Sequence, residues 1–268
     1  NGLRTRFISS KRRQSRRLGI NKMKKKEDLL KGILQIEQPE AAKGPRVNVD
    51  TILLANFTNP SKGEKILEIG CAHGAITLIL AKRGFSVEGI DIQKHLIEMA
   101  IENAVHNKLD DKTNFICNDI RNYKALWTAQ SFDRIVVNPP YYKEHSVRSS
   151  PYIEKTVAKQ ETECTLEEII IASKYLLKNK GSLNIIISAS RLSELVSLLA
   201  KYNIEPKVMR AVHSKEGSPA SVVLIEAVRA AKIGLKILSP LFMRGPDDKE
   251  TEELISAYTL KESETSCP

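Results

Sequence analysis

Five consecutive residues, Asn138-Pro139-Pro140-Tyr141-Tyr142, carry the most specific chemistry in this chain of 268 residues. Two prolines fix the backbone and remove two N–H donors, which leaves carbonyl oxygens free to face a cleft. Asn138 adds a side-chain carbonyl oxygen and Tyr141 a flat aromatic face. The set suits a planar group bearing an NH2. Its two protons can be accepted by the Asn138 side-chain oxygen and the Pro139 carbonyl while the ring stacks on Tyr141. Out of context the same residues are a proline-rich turn with a buried tyrosine. Their place after the apolar run Ile135-Val136-Val137 favours a site.

A second constellation lies upstream. Leu67-Glu68-Ile69-Gly70-Cys71-Ala72-His73-Gly74 reads as a strand running into a helix, and its glycines permit a tight turn and close backbone approach to a ligand. The stretch is neither G-x-G-x-x-G nor a phosphate loop ending in Lys-Ser/Thr, so a nucleoside without a pyrophosphate fits better. Asp91 follows Gly70 by roughly 20 residues, where a strand-end carboxylate can accept hydrogen bonds from both ribose hydroxyls. Asp119, in Asn118-Asp119-Ile120, follows a third strand and can accept from an adenine amino group. Either aspartate alone reads as a helix N-cap. Together with the Gly70 loop, at consecutive strand ends, they point to a nucleoside site.

Those strand ends require a particular frame. Short β-branched runs at 65–70, 85–91, 114–118, 134–138, 183–188, 207–212 and 221–227 alternate with helical patterns at 75–82, 95–107, 123–127, 166–177 and 191–201. Such alternation predicts an α/β, doubly wound, mostly parallel sheet of about seven strands with helices on both faces. The last two strands lack an intervening helix, so they are expected to form a hairpin with one antiparallel edge strand.

Composition removes other classes. The chain is 41% hydrophobic and 28% charged, an ordinary globular balance. No apolar run approaches the roughly 20 residues of a membrane-spanning helix, so no membrane partner is expected. Four separated cysteines, Cys71, Cys117, Cys164 and Cys267, form no C-x-x-C pair and read as reduced thiols of a cytoplasmic protein. The five histidines show no ligand spacing, so no metal is expected, and His73 reads as a surface side chain beside the Gly70 loop. Ser188 and Ser190 lack a nucleophile elbow.

The net charge of +10 is concentrated: residues 1–26 hold eleven Lys/Arg and no acid. They read as a flexible basic tail, able to neutralise nucleic-acid phosphates. A single domain is expected over 27–260 and a short tail over 261–268. Lys143, Arg148, Lys155 and Lys159 follow the tyrosines and would line the mouth of their cleft, facing solvent or RNA phosphate.

The segments 68–74, 89–92, 118–120 and 138–142 resemble the class I S-adenosylmethionine-dependent methyltransferases, in the branch that methylates amino nitrogens. Flanking segments 35–57, 211–228 and 234–258 make the chain most similar to the bacterial tRNA(Val) adenine-N6 methyltransferase family, over about Lys24–Leu260. Two departures stand out: Ala72 where the family usually has glycine, and Val47-Asn48 where an aromatic-Ser pair is common.

The resemblance implies a Rossmann-like fold, S-adenosylmethionine as cofactor, and the tRNA anticodon loop as partner, with the adenine just 3′ of the anticodon as target. It implies catalytic roles for Asn138, Pro139 and Tyr141. Cofactor binding falls to Glu68, Gly70, Cys71, Gly74, Asp91, Ile92, Asp119, Ile120 and Asn138, and substrate binding to Pro140, Tyr142, Lys143 and Arg46. A monomer is the favoured state. Two rivals share these residues. A protein-glutamine methyltransferase also binds a planar NH2, although a helical substrate-binding domain would be expected ahead of its core. A non-catalytic RNA-binding module could keep the fold without turnover, yet intact Asn138, Pro139, Tyr141 and Asp91 argue against it.

Overall fold

Strand-helix alternation begins at β3 (Lys65–Ile69) and continues through α2 (Ala75–Lys82), β4 (Ser86–Asp91), α3 (Lys94–His106), β5 (Thr113–Cys117), α4 (Tyr123–Leu126) and β6 (Phe132–Val137). It resumes with α5 (Leu166–Leu176), β7 (Leu177–Ser188), α6 (Leu192–Lys201) and the hairpin β8 (Ile204–Lys215) and β9 (Ala220–Arg229). The computed structural model describes residues 26–40, 44–139 and 164–260. Pro140, Tyr141, Tyr142, Lys143, Arg148, Lys155, Lys159 and residues 1–25 therefore lie outside the described residues. Strand pairing gives the order β10-β8-β9-β7-β6-β3-β4-β5, with β10 (Lys236–Ile237) and β11 (Leu241–Arg244) both pairing β8. The sheet thus has nine strands where about seven were expected.

The reversed strand differs in place from the expected edge. β9 runs antiparallel to both β7 and β8 and lies between them. Its Val222, Val223, Leu224 and Ile225 are all buried, whereas most of β8 is only half-buried. The more apolar member of the hairpin takes the inner position, where both faces are covered.

Alternating side chains feed two cores. Ile66, Val136, Ile186 and Leu224 face one side, under α2 and α1 (Val49–Phe57). Leu67, Ile69, Ile135, Ile185 and Ile225 face the other, under α5 and α6. Helix α5 opens on a Thr165–Glu168 capping box, which satisfies end donors reciprocally. The buried Arg83 guanidinium donates to Ala55 O (2.9 Å) and Thr58 O (2.8 Å) at the end of α1, where a cation suits the helix dipole.

Two strands ahead of this frame escaped the periodicity. β1 (Lys26–Leu29) and β2 (Leu34–Glu37) form a separate antiparallel hairpin. It docks on α3 through side-chain amides that act as a substitute strand. Asn103 Oδ1 accepts from Glu37 N (2.7 Å) while its Nδ2 donates to Glu37 O (3.0 Å). One turn on, Asn107 repeats the pair with Gln35 N (3.0 Å) and Gln35 O (2.7 Å). The match is geometric: four helical residues rise about 6 Å and two strand residues about 6.6 Å. Asn103→Ala should cost about 2–3 kcal/mol in urea unfolding, because the amide groups it leaves are buried. Asn107→Ala, at an exposed site, should cost about 1 kcal/mol, since water replaces the lost partner. Equal losses would show that the hairpin is not held as described.

Candidate functional site

The carboxyl ends of β3 and β6, which are neighbours in the sheet, open on a cavity of about 250 Å³. Its walls come from three segments: Pro45, Arg46, Asn48 and Thr51 at the start of α1; Glu68 to Ile76 around the β3–α2 loop; and Asn138-Pro139 after β6. Of the expected site residues, the fold brings Arg46, Glu68, Gly70, Cys71, Asn138 and Pro139 around one cavity. Gly74, Asp91, Ile92, Asp119 and Ile120 are not among its lining.

The loop is built by backbone chemistry. Gly70 turns at φ +74° with its N–H on Ile90 O (2.9 Å), and a Cβ there would meet nothing within 4 Å. Gly74, at φ +88°, is the opposite case: a Cβ would come within 3.0 Å of the Phe115 ring. One glycine leaves space and the other permits packing. Between them Ala72 sits at φ +47°, the left-handed region that favours glycine. Its N–H donates to Asp91 Oδ2 (3.0 Å), and Gln93 N donates to Asp91 Oδ1 (2.9 Å). Asp91 thus clasps the loop from the end of β4. Burial raises its pKa, partly opposed by those two donors. The Cys71 thiol is buried and its pKa is pushed up by desolvation. Its sulfur is packed so closely on β4 that a Cβ at Gly89 would fall 2.9 Å from it.

Glu68 is buried on β3, and its Oε2 accepts from Thr77 N (2.8 Å) and the Thr77 hydroxyl. Burial raises its pKa to about 8, so the carboxyl is largely protonated at neutral pH. It can therefore line the cavity without carrying a full charge.

Five residues differ from the sequence expectation. Asp119 caps the turn at Ile120–Asn122 by accepting from Arg121 N (2.8 Å), and its carboxylate pairs with the Arg121 guanidinium, which lowers its pKa. Here the N-cap role describes the side chain, while Ile120 is buried in the core and Ile92 is 54% exposed. Arg46 lines the wall, but its charge is paired: it donates to both Glu27 oxygens (2.6 and 2.7 Å) and to Pro39 O (2.9 Å). His73, expected at the surface, is 3% exposed. Burial and nearby Arg46 lower its pKa to about 4, leaving a neutral imidazole. Its position between two turn-forming glycines was the available signal, since a loop folded that tightly onto a sheet end encloses its side chains.

Among the described residues no cluster of three metal-ligating side chains occurs, and no helix is long and apolar enough to cross a membrane.

Residues 60–230 match the family model described as a methyltransferase domain. A tRNA1(Val) (adenine(37)-N6)-methyltransferase of Aliivibrio salmonicida is 24% identical over 185 residues, covering 68% of this chain and 77% of that protein. The Porphyromonas gingivalis protein of the same name is 32% identical over 167 residues, covering 59% of this chain and 65% of that protein. Among solved structures, a predicted O-methyltransferase from Agrobacterium tumefaciens superposes with a TM-score of 0.64 at 17% identity, covering 79% of this chain and 98% of that one. The [4+2]-cyclase SpnF superposes with a TM-score of 0.52 at 14% identity, covering 68% of this chain and 81% of that one. At those identities the two structures speak for the fold alone.

Proposed function

The chain belongs to the methyltransferase domain family, and on that premise we propose that it methylates the N6 amino group of an adenine in tRNA, beside the anticodon of tRNA(Val), using S-adenosylmethionine. The observation that carries the reading is the shared cavity: the Gly70–His73 loop and Asn138-Pro139 close on one space at adjacent strand ends. The names and similarity of the relatives supply the target.

The residues present fit the cofactor. A Cβ at Gly70 would enter open space, which is what a backbone cradle for a ligand requires. Gly70 and Cys71 backbone, Asp91 and the protonated Glu68 would hold it. When bound it supplies a sulfonium methyl, an electrophile that needs no metal partner. Asp119 contributes chiefly by shaping the strand end, because Arg121 already occupies its carboxylate.

The rest of the chemistry belongs to the chain. An adenine amino lone pair is delocalised into its ring and is a poor nucleophile. Asn138 Oδ1 and Pro139 O would accept its two protons, favouring a pyramidal nitrogen aligned for in-line attack. Pro139 is buried, so water is kept from one side of the amine. No strong base is required, since the proton becomes acidic once nitrogen is alkylated. The base must leave its stack to reach such a cleft, which suits a single-stranded loop in a cytoplasmic tRNA. The stacking assigned to Tyr141 rests on the sequence alone.

The test is methyl transfer from labelled S-adenosylmethionine to unmodified tRNA(Val) transcript, with a glutamine peptide as the rival substrate. Transfer to the transcript, lost when the adenine next to the anticodon is replaced by guanine, is the expected outcome. Transfer to the peptide alone, or to neither, would overturn the reading.

A further inference from the structure

The far edge of the sheet carries charge that the site does not use. Strand β10 ends the strand order beyond β8, and it belongs to a run, 232–237, in which every residue is exposed. Ile233, Leu235 and Ile237 are large aliphatic side chains among them. The run is held in place: Lys207 Nζ donates to Lys232 O (3.1 Å), Gly234 N to Glu205 Oε1 (3.4 Å), and Leu238 N, just past the run, to Met209 O (2.8 Å). With the eleven Lys/Arg of 1–26 set aside, the remaining 31 Lys/Arg and 32 Asp/Glu nearly balance. Lys207, Lys232 and Lys236 nevertheless have no carboxylate partner among the described residues. Arg210, on the same strand as Lys207, is paired with Glu253 (2.6 Å), and Glu205 accepts from backbone instead of a lysine.

Strand register sets this edge level with the site. Val137 pairs Ile185, Ile185 pairs Ile225, Ile225 pairs Met209, and Met209 pairs Ile237. One row of the sheet therefore runs from the residue before Asn138 to β10. Four strand spacings of about 4.8 Å separate its ends by about 19 Å. The row crosses the half of the sheet beyond β6, away from the loops that hold Gly70 and Asp91. A base delivered to Asn138 and Pro139 leaves its neighbouring nucleotides to lie over that half, and the separation is about the width of an RNA stem. Lysine on a free edge strand ordinarily prevents pairing with another sheet, which accounts for Lys236. Lys207 and Lys232 lie off the two-residue strand, and exposed aliphatic neighbours are the opposite of a guard. A second copy paired edge to edge would bring these lysines close to their own counterparts. A polyanion is attracted by all three, and riboses in the shallow groove of an RNA stem can cover the isoleucines.

We propose that Lys207, Lys232 and Lys236 form an edge that binds backbone phosphates of the RNA stem whose loop base enters the site. The proposal rests on the tRNA reading above and names the surface that holds the rest of that substrate. Its contribution is to position and affinity, with no part in the transfer step.

Titration of the full chain into labelled anticodon stem-loop RNA of tRNA(Val), repeated over a range of salt, reads the contact. Lys232→Gln combined with Lys236→Gln should weaken binding about tenfold and make the log–log salt dependence shallower by about one to two. Adding Lys207→Gln should deepen both changes. KM for the stem-loop should rise in step, while kcat at saturating RNA and affinity for S-adenosylhomocysteine stay within about twofold of wild type. Lys232→Arg with Lys236→Arg keeps the charge and should keep the wild-type slope. Both pairs replace exposed side chains, so folding should be unaffected. An unchanged salt slope, or a loss confined to kcat, would overturn the surface. So would a wild-type dimer in sedimentation that the glutamine pair dissociates, which would make the edge an interface between copies. Flotation with phosphatidylserine vesicles, lost in the glutamine pair while RNA affinity stays, would assign the edge to lipid and equally overturn it. A wild-type chain that binds no stem-loop would instead overturn the tRNA reading, and the surface with it.

Discussion

Asn138→Ala is expected to lower kcat for tRNA methylation about 10²–10³-fold, the effect of removing a group that hydrogen-bonds more strongly in the transition state. As the amine pyramidalises its protons become more acidic, so an acceptor at Asn138 gains strength during transfer rather than before it. KM for tRNA should move little, and, because Asn138 is assigned here to the amine rather than to the cofactor contact that the resemblance implies, calorimetric affinity for S-adenosylhomocysteine should be nearly unchanged. Asn138 follows Val137 at the end of β6, a largely buried strand, and is itself only half-buried, so the variant should fold normally. Turnover near the wild-type rate would mean that the amine is held elsewhere. A loss confined to KM would make Asn138 a binding residue with equal hold on substrate and transition state.

Arg134→Met should give the largest loss of stability, about 3 kcal/mol or more in urea unfolding, as expected when one partner of a buried ionic network is removed. Arg134 is 6% exposed and lies on β6. It donates to Glu64 Oε2 (2.7 Å), Asn184 Oδ1 (2.6 Å) and Glu226 Oε2 (2.9 Å), joining β6 to β7, β9 and the turn before β3. Burial opposes its charge, yet Glu64 and Glu226 more than offset this and raise its pKa. The methionine leaves two half-buried carboxylates without their cation. Both keep some solvent contact, which places the expected loss at the low end of the buried-pair range. Adding Glu64→Gln and Glu226→Gln to the methionine variant should recover part of the loss, because no stranded charge remains. A loss under about 1 kcal/mol would show that water screens the network.

The parts of this protein legible in its sequence are those set by near neighbours. The β3–α2 turn announced itself through Gly70 and Gly74, because positive φ and close packing are demands on single residues. Strands β3 to β7 were visible as short β-branched runs, all but β5 largely buried, and α5 by the helical spacing of its apolar residues. The order of the Asn138-Pro139 segment after an apolar strand was enough to put it at a strand end, while its place beside the Gly70 loop follows from the pairing of β6 with β3. The glycine usual at position 72 acquires its reason only in three dimensions: the position is left-handed, and Ala72 adopts it with its N–H held by Asp91.

Other features depend on residues far apart in the chain. The hairpin β1–β2 has four-residue strands, too short for a period to show, and its docking rests on Asn103 and Asn107, more than sixty residues away. That docking determines what Arg46 does, since its partner Glu27 comes from β1. The same Asn103 that docks the hairpin also holds the carbonyl of the buried His73, which on its own reads as one more polar loop residue. Likewise the inward place of β9 follows from competition between two strands for cover on both faces, a comparison that neither strand contains. Turn conformation and periodicity arise from contacts within a few residues and so were determined by the sequence alone. Whether a charge is paired or an imidazole enclosed depends on which distant segment arrives beside it, and only the tertiary structure decided that.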